Sequence, residues 1–435
     1  MIDERITDAL NNWSMSMIDD DIPDSLPLLD LFRNVRGTAD FGAVDILVIQ
    51  HQLGTNVPLV RAFATDGVPE GRMWPVDIPY STNQDAHAAF VALSGEDRCP
   101  PLLTDPLVDY SAVQLMRVTT TLLDIWRHGQ GRPLLVIDDG AYFLRALTML
   151  RAISHPAVGH FADSFVVEQT TRGHRLLTAS ERDVSELGLR AVSIARTKTK
   201  ERLEGPFIGA TVAEAIAARV GPQGSAPKMQ KIAVLGFGVV GEACARALSD
   251  RFPDARLAIV EEHPERRSAA AAWLGVDHVQ PALGPNGGYD LVLGCTGRNS
   301  FKLADRHLLA DGALLVSGSS AAVEFDRAGF VELADYYPDD EIEIVDRDAT
   351  RKVGIHADIV LRLEGERTVT FANAGFPVNF DGRIECLPAK MIQPTRCLMY
   401  AAAAQVLTQA SPGFVQLDAG PDDWIYEHGL RLLAD

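Results

Sequence analysis

Residues 231–248 read KIAVLGFGVVGEACARAL: a five-residue apolar run, then Gly236-x-Gly238-x-x-Gly241, then a helical stretch with small residues on one face. Glycines at this spacing suit the binding of a pyrophosphate. Gly236 permits a tight turn, Gly238 lets the backbone approach the phosphates, and Gly241 lets helix and strand pack closely. The helix N-terminus then presents its unpaired N–H groups to the anion. A second run, Leu257–Val260, ends in Glu261. An acid there accepts hydrogen bonds from ribose hydroxyls and repels a 2′-phosphate. The expected cofactor is therefore NAD rather than NADP, with Arg266 and Arg267 nearby as the residues that oppose this choice. Further strand candidates, Asp290–Gly294 and Ala313–Val316, end in Cys295-Thr296-Gly297 and Ser317-Gly318-Ser319-Ser320. Small residues at such ends suit the rim of a cofactor crevice.

A second set of reactive side chains stands at the ends of apolar runs in the first half of the chain. His51 follows Val44–Gln50, Asp138 and Asp139 follow Pro133–Ile137, and Glu168 follows Phe165–Val167. Ligands of parallel α/β sheets bind at strand C-termini, so a proton-transferring histidine and aspartate are plausible there. Each also has a structural alternative. His51 could cap its own loop, Asp138 or Asp139 could cap a helix, and Glu168 and Lys198 could form an exposed ion pair. Cys295 is expected as a small buried residue. His87, His160 and His356 lack metal-ligand spacing, and no metal site is expected. Trp424 and Tyr426 fit a packing cluster.

These residues need a scaffold of alternating strands and helices. Strands are predicted at Val44–Gln50, Met73–Ile78, Pro133–Ile137, Phe165–Val167 and Arg190–Ile194, with helices at Val57–Ala64, Tyr110–His128 and Thr211–Arg219. Short β-branched runs of this kind mark buried parallel strands. Gly221–Lys228 reads as a linker, the segments EIEIVDRD and HADIVLRLEGERTVTF as short strands, and Ala389–Ala410 as a helix. With 435 residues, 47% hydrophobic, the chain has material for two to three cores. The charge of -19 disfavours nucleic acid as a partner. No run approaches the roughly 20 apolar residues of a membrane span, and the acidic start MIDERITDALNNW lacks a signal peptide's basic region. The five cysteines include no CxxC pair. A soluble, cytoplasmic protein is expected.

Several blocks, in order, resemble the S-adenosylhomocysteine hydrolase family over roughly residues 30–410. Glu168-Gln169-Thr170-Thr171-Arg172-Gly173-His174-Arg175 resembles its EETTTGVHR segment, and Arg196-Thr197-Lys198-Thr199-Lys200 its VTKSK. Cys295-Thr296-Gly297 resembles its TTTGN, and Phe371-Ala372-Asn373-Ala374-Gly375 its LVNLGCAMG. Ser81-Thr82-x-Gln84-Asp85 resembles its STQD, Asp138-Asp139-Gly140 its DDGGD, and His51 follows a strand as the family's catalytic histidine does.

The resemblance implies an α/β fold of two parallel-sheet domains. A Rossmann NAD-binding domain (206–374) would be inserted in a discontinuous substrate-binding domain (1–205, completed by 375–410), with 411–435 as a C-terminal tail. It implies bound NAD that transiently oxidises a ribose 3′-hydroxyl, so that the C4′ proton becomes acidic and the 5′ substituent can leave. By position, His51 and Asp139 would act as acid and base, Glu168 would hold ribose hydroxyls, and Lys198 would assist removal of the 3′-hydroxyl proton. Thr170, Thr171, Thr296 and Asn373 would contact the cofactor, with Glu261 on its ribose. The implied partner is a small-molecule nucleoside, and the implied assembly a homo-oligomer. Departures accompany the match. Arg202 and Leu203 stand nearest the family's aspartate–asparagine pair, Ser193 replaces an asparagine, and the family's Lys-x-Asp-x-Tyr-Arg-Tyr ending is absent. These changes make a nucleoside dehydratase or oxidoreductase of altered substrate, or a catalytically silent NAD- or nucleoside-binding homologue, the alternatives.

Overall fold

The computed structural model describes residues 3–69, 71–128, 131–220, 229–336, 342–345, 354–363 and 367–434. The linker expected at 221–228 lies outside them, as does part of EIEIVDRD. The chain divides into two compact units: residues 1–103, 109–204 and 383–435 form the first, and 104–108 with 205–382 the second.

Strands are numbered in chain order. The first unit holds β1 (Asp45–Gln50), β2 (Met73–Asp77), β3 (Leu134–Asp138), β4 (Phe165–Glu168), β5 (Arg190–Ser193) and, near the C-terminus, β14 (Gly413–Gln416). They form one sheet in the order β14-β5-β4-β3-β1-β2, parallel throughout. β1, β2 and β3 are buried along their whole length, which is why they read as near-continuous apolar runs rather than alternating ones. The 2-1-3-4-5 order of the first five strands is a doubly wound one whose switch point lies between β1 and β3. The sequence runs predict β1 to β5 to within a residue, whereas β14 has no counterpart among them. Residues 411–435, expected as a separate tail, instead complete this unit. β14 adds to the sheet beside β5, and the helix Ala419–Ala434 buries Ile425 and Leu430.

The second unit holds β6 (Lys231–Leu235), β7 (Arg256–Val260), β8 (Val279–Gln280), β9 (Tyr289–Gly294), β10 (Leu309–Ser317), β11 (Ile342–Val345), β12 (Asp358–Leu363) and β13 (Arg367–Phe371). Their order is β11-β12-β13-β10-β9-β6-β7-β8. From β8 to β13 the strands are parallel and follow the 3-2-1-4-5-6 Rossmann sequence of positions. β12 and β11 extend the edge antiparallel. The fold is thus α/β with two separate sheets. Among the described residues no helix is long and apolar enough to cross a membrane.

Candidate functional site

In the first unit, β1 and β3 flank the switch point, and each delivers one member of a polar pair just past its last residue. His51 Nε2 lies 3.2 Å from Asp139 Oδ2. On the other side of the ring, Nδ1 lies 2.6 Å from Ser81 Oγ, and the Ser81 hydroxyl donates to the Ile78 carbonyl at 2.8 Å. A serine has one proton to give, so Nδ1–H is the donor to Ser81. The Nε2 contact with Asp139 is then a hydrogen bond only when Nε2 carries a proton as well, that is, when the ring is an imidazolium whose charge Asp139 holds. Asn56 Nδ2 donates to the His51 carbonyl at 2.6 Å, and the Tyr80 ring stands edge-on to the imidazole at 5.9 Å.

Asp139 is buried and also accepts from the Gln169 amide. Burial alone would raise its pKa. The His51 charge and hydrogen bond, the Gln169 amide and the Lys200 charge outweigh burial, and Asp139 lies below the ordinary aspartate value. Its neighbour Asp138 has a different task. Its two oxygens accept from the backbone N–H groups of Tyr142 (3.1 Å) and Phe143 (2.9 Å), so it caps the helix Tyr142–Ala152. Burial, chiefly, raises it to about 7, with the adjacent Asp139 charge adding to the rise against those backbone bonds.

Glu168 departs from the role expected of it. Its buried carboxyl accepts from the backbone of Gly140 (3.2 Å), Ala141 (2.8 Å) and Thr170 (2.7 Å), and from Thr170 Oγ1 at 2.7 Å. Burial, then the charges of Asp138 and Asp139, push its pKa well up against those bonds. It is therefore a clasp for the turn after Asp139 rather than a group left to hold hydroxyls. The clasp is needed because Ala141 sits in the left-handed region at φ 55°, a conformation costly for a residue with a Cβ. Gly173 makes the clasp possible, since a Cβ there would lie 2.1 Å from Glu168 Cδ.

Thr170 is spent on the same clasp and on capping its helix through Gly173 N at 2.9 Å. Thr171 opens that helix and is exposed. Lys198 corrects a second expectation. Its Nζ lies 3.1 Å from Asp423 Oδ1 and 4.1 Å from the Tyr426 ring centre, so it is held by the C-terminal helix. The lysine that acts on Asp139 is Lys200, whose Nζ lies 2.7 Å from Glu204 Oε1. It stands in a π-helical turn, Thr199–Glu204, which alters which side chains share a face relative to an α-helix. In the same turn Arg202 is exposed and Leu203 is buried. Gln169, Ser81 and Lys200 all lie within the sequence blocks quoted above, but spacing alone did not single them out.

In the second unit, Gly236 adopts φ 93° and its added Cβ would meet the Cys295 carbonyl at 2.9 Å, while one on Gly241 would meet the Gly236 carbonyl at 2.1 Å. Both positions therefore require glycine. A Cβ on Gly238 would meet nothing nearer than Arg266 Nη1 at 3.8 Å. The loop thus has a tight base and an open top, as a backbone cradle for a dinucleotide requires. Glu261 is buried and holds the loop by accepting from Phe237 N (2.7 Å) and His263 N (2.8 Å). Thr296 is engaged by a residue outside every motif. Glu324, fully buried, accepts from Thr296 N (2.7 Å), Gly297 N (2.6 Å) and Thr296 Oγ1 (2.8 Å). Asn373 is buried at φ 51° with its amide donating to the Pro377 and Phe380 carbonyls. Its Oδ1 is buried with no hydrogen-bond partner among the described residues, where the resemblance expects a cofactor contact. Cys295 is partly buried, and Cys244 and burial raise its thiol well above the ordinary value. Among the described residues no cluster of His, Cys, Asp and Glu could hold a metal ion.

No family model matches the chain. Two uncharacterised proteins of Mycobacterium tuberculosis, from strains CDC 1551 / Oshkosh and ATCC 25618 / H37Rv, are 27% identical to it over 388 residues, 87% of this chain and 67% of theirs. Among solved structures, dipicolinate synthase A chain from Bacillus subtilis aligns at 11% identity and a TM-score of 0.38, over 85% of this chain and 98% of its own. D-lactate dehydrogenase from Salmonella aligns at 14% identity and a TM-score of 0.36, over 84% and 96%. Likenesses this distant carry no argument about ligand or activity, and the chain's chemistry rests on its own residues.

Proposed function

We propose that the chain is a nicotinamide-dependent enzyme of the S-adenosylhomocysteine hydrolase type, with NAD as cofactor and a nucleoside or nucleoside thioether as substrate. The observation that carries this is the pairing of His51 with Asp139 at the switch point of one sheet, in a chain whose other sheet bears a dinucleotide loop of Rossmann form. The residues fit the cofactor. Gly238 leaves the cradle open, Glu261 sits at the end of β7, and Asn373 Oδ1 offers an acceptor without a hydrogen-bond partner among the described residues. When bound, a nicotinamide dinucleotide would accept hydride from a substrate carbinol and return it.

The chain's own contribution is proton handling. His51 receives a proton at Nε2 and returns it, Asp139 holds the imidazolium, and Ser81 sets the ring's tautomer through Nδ1. Gln169 fixes Asp139 in place, and His51 foremost, then Gln169 and last Lys200, favour the ionised form of that carboxylate. The clasped Glu168 and the outward Lys198 favour, within this proposal, a substrate altered from S-adenosylhomocysteine. The first test is acid release of small molecules from the purified protein and their identification by mass spectrometry. About one NAD per chain, followed by nucleoside-dependent appearance of reduced nicotinamide absorbance, supports the proposal. A protein that neither carries nor takes up NAD overturns it and leaves the silent homologue.

A further inference from the structure

His51 stands on a short loop between β1 and the helix Asn56–Thr65. The far end of that loop is held by the segment with which the chain rejoins the first unit after residue 382. The backbone N–H of Gly54 donates to the Ile384 carbonyl at 2.8 Å. At the next residue, both protons that Thr55 can give go to one oxygen. Its backbone N–H donates to Glu385 Oε1 at 2.7 Å, and its hydroxyl donates to the same atom. Arg396 Nε in turn donates to Thr55 Oγ1 at 3.0 Å, and Arg396 Nη2 lies 4.0 Å from Glu385 Oε1. Thr55, Glu385 and Arg396 are all buried, so their polar groups depend on one another for partners. Asn56, the first residue of the helix, carries this hold back to the histidine, because its Nδ2 donates to the His51 carbonyl at 2.6 Å. Glu385 and Arg396 lie outside every sequence motif quoted above.

We propose that Glu385 is a positioning residue for His51. By holding Thr55 it sets the start of the helix, and through Asn56 it sets the backbone from which the imidazole reaches Asp139. The proposal rests on the reading of His51 and Asp139 as the proton-handling pair. Ser81 at 2.6 Å and Asp139 at 3.2 Å can orient the ring only if its backbone delivers it between them. A misplacement of about 1 Å at such a site costs about a hundredfold in rate. An acid beside a helix start also has the favourable sign of charge.

The test is nuclear magnetic resonance of the full chain carrying isotopically labelled histidine, with the His51 ring signals assigned by their loss in His51→Gln. Ring nitrogen shifts report tautomer and hydrogen bonding. They require neither cofactor nor turnover, so failure here is distinguishable from failure of the proposed enzyme activity. Glu385→Ala is expected to move or broaden the His51 signals. Glu385→Gln keeps an oxygen for Thr55 and is expected to restore them. Thr55→Val deletes the hydroxyl link alone, is expected to move them less far, and decides the question if Glu385→Ala does not fold. The control is Asp45→Ala, which breaks a buried ion pair with Arg72 (3.0 Å) at the opposite end of β1, roughly 20 Å away. It is expected to lower stability and leave the His51 signals in place. In nucleoside-dependent turnover, Glu385→Ala is expected to lower kcat at least about tenfold with KM within about twofold, and Glu385→Gln to recover most of the loss. Unmoved His51 signals in Glu385→Ala, or in Thr55→Val where the alanine variant does not fold, overturn the proposal. So do signals that Asp45→Ala moves as far.

Discussion

Replacing Gly173 by alanine puts the clasp on the turn after Asp139 to a direct test. The new Cβ would lie 2.1 Å from both Cδ and Oε2 of Glu168 and 2.4 Å from Oε1. Ordinary van der Waals contact begins more than an ångström further out, so the carboxyl must leave its place. Leaving it strands the buried backbone N–H groups of Gly140 and Ala141 and the partly buried one of Thr170. At about 1–3 kcal/mol for each of the three stranded groups, less the roughly 1 kcal/mol by which alanine improves on glycine within a helix, the first unit should lose about 2–8 kcal/mol. Denaturant unfolding followed by circular dichroism reads this as a fall in midpoint at unchanged slope. Gly159→Ala is the control, because a Cβ there meets nothing within 4 Å. A Gly173→Ala protein within about 1 kcal/mol of the wild type would refute the clasp, since the carboxyl would then have an equally good place elsewhere.

Asp139→Asn removes the charge that holds a protonated His51, and nucleoside-dependent turnover should fall by about two to four orders of magnitude while NAD remains bound; retained turnover in a stopped assay would count against the pair. Lys200→Ala should lower turnover at least about tenfold, whereas Lys198→Ala should leave it within about twofold and loosen only the exposed tie to Asp423; the reverse ranking would restore the role implied by the family resemblance. Asp138 is raised in the folded protein to about 7, so its contribution to stability is complete below the ordinary aspartate range and is lost as pH rises through about 7. Asp138→Asn should flatten the pH dependence of the unfolding midpoint across that window, and an unchanged slope there would show that Asp138 does not titrate so high. Gly238→Ala should leave the unfolding midpoint almost unmoved, because its Cβ has room, yet cut NAD affinity measured by fluorescence titration; a variant that binds NAD as well as the wild type would mean that no dinucleotide backbone passes there.

Local chemistry made much of this protein legible from its residues alone. Strands buried on both faces must be apolar throughout, so the runs at β1, β3, β6 and β9 could be found without knowing their partners. The glycine loop was equally legible, because a tight turn and a close helix contact exclude any Cβ whatever the remainder of the chain does. The tertiary structure decided what the polar residues do. His51 and Asp139 lie far apart in the chain, and only the adjacency of β1 and β3 in the sheet brings them to 3.2 Å. Glu168 and Lys198 have the residue types of a substrate site, but their roles depend on which neighbours satisfy them first. For Glu168 these are the amides of a turn on the adjacent strand, and for Lys198 the acids of the C-terminal helix. One residue type can serve as cap, clasp or acid, and its sequence neighbours do not choose among these roles. Hydrogen bonds and charges reach across a few ångströms of space, and the fold sets which residues are brought within that distance.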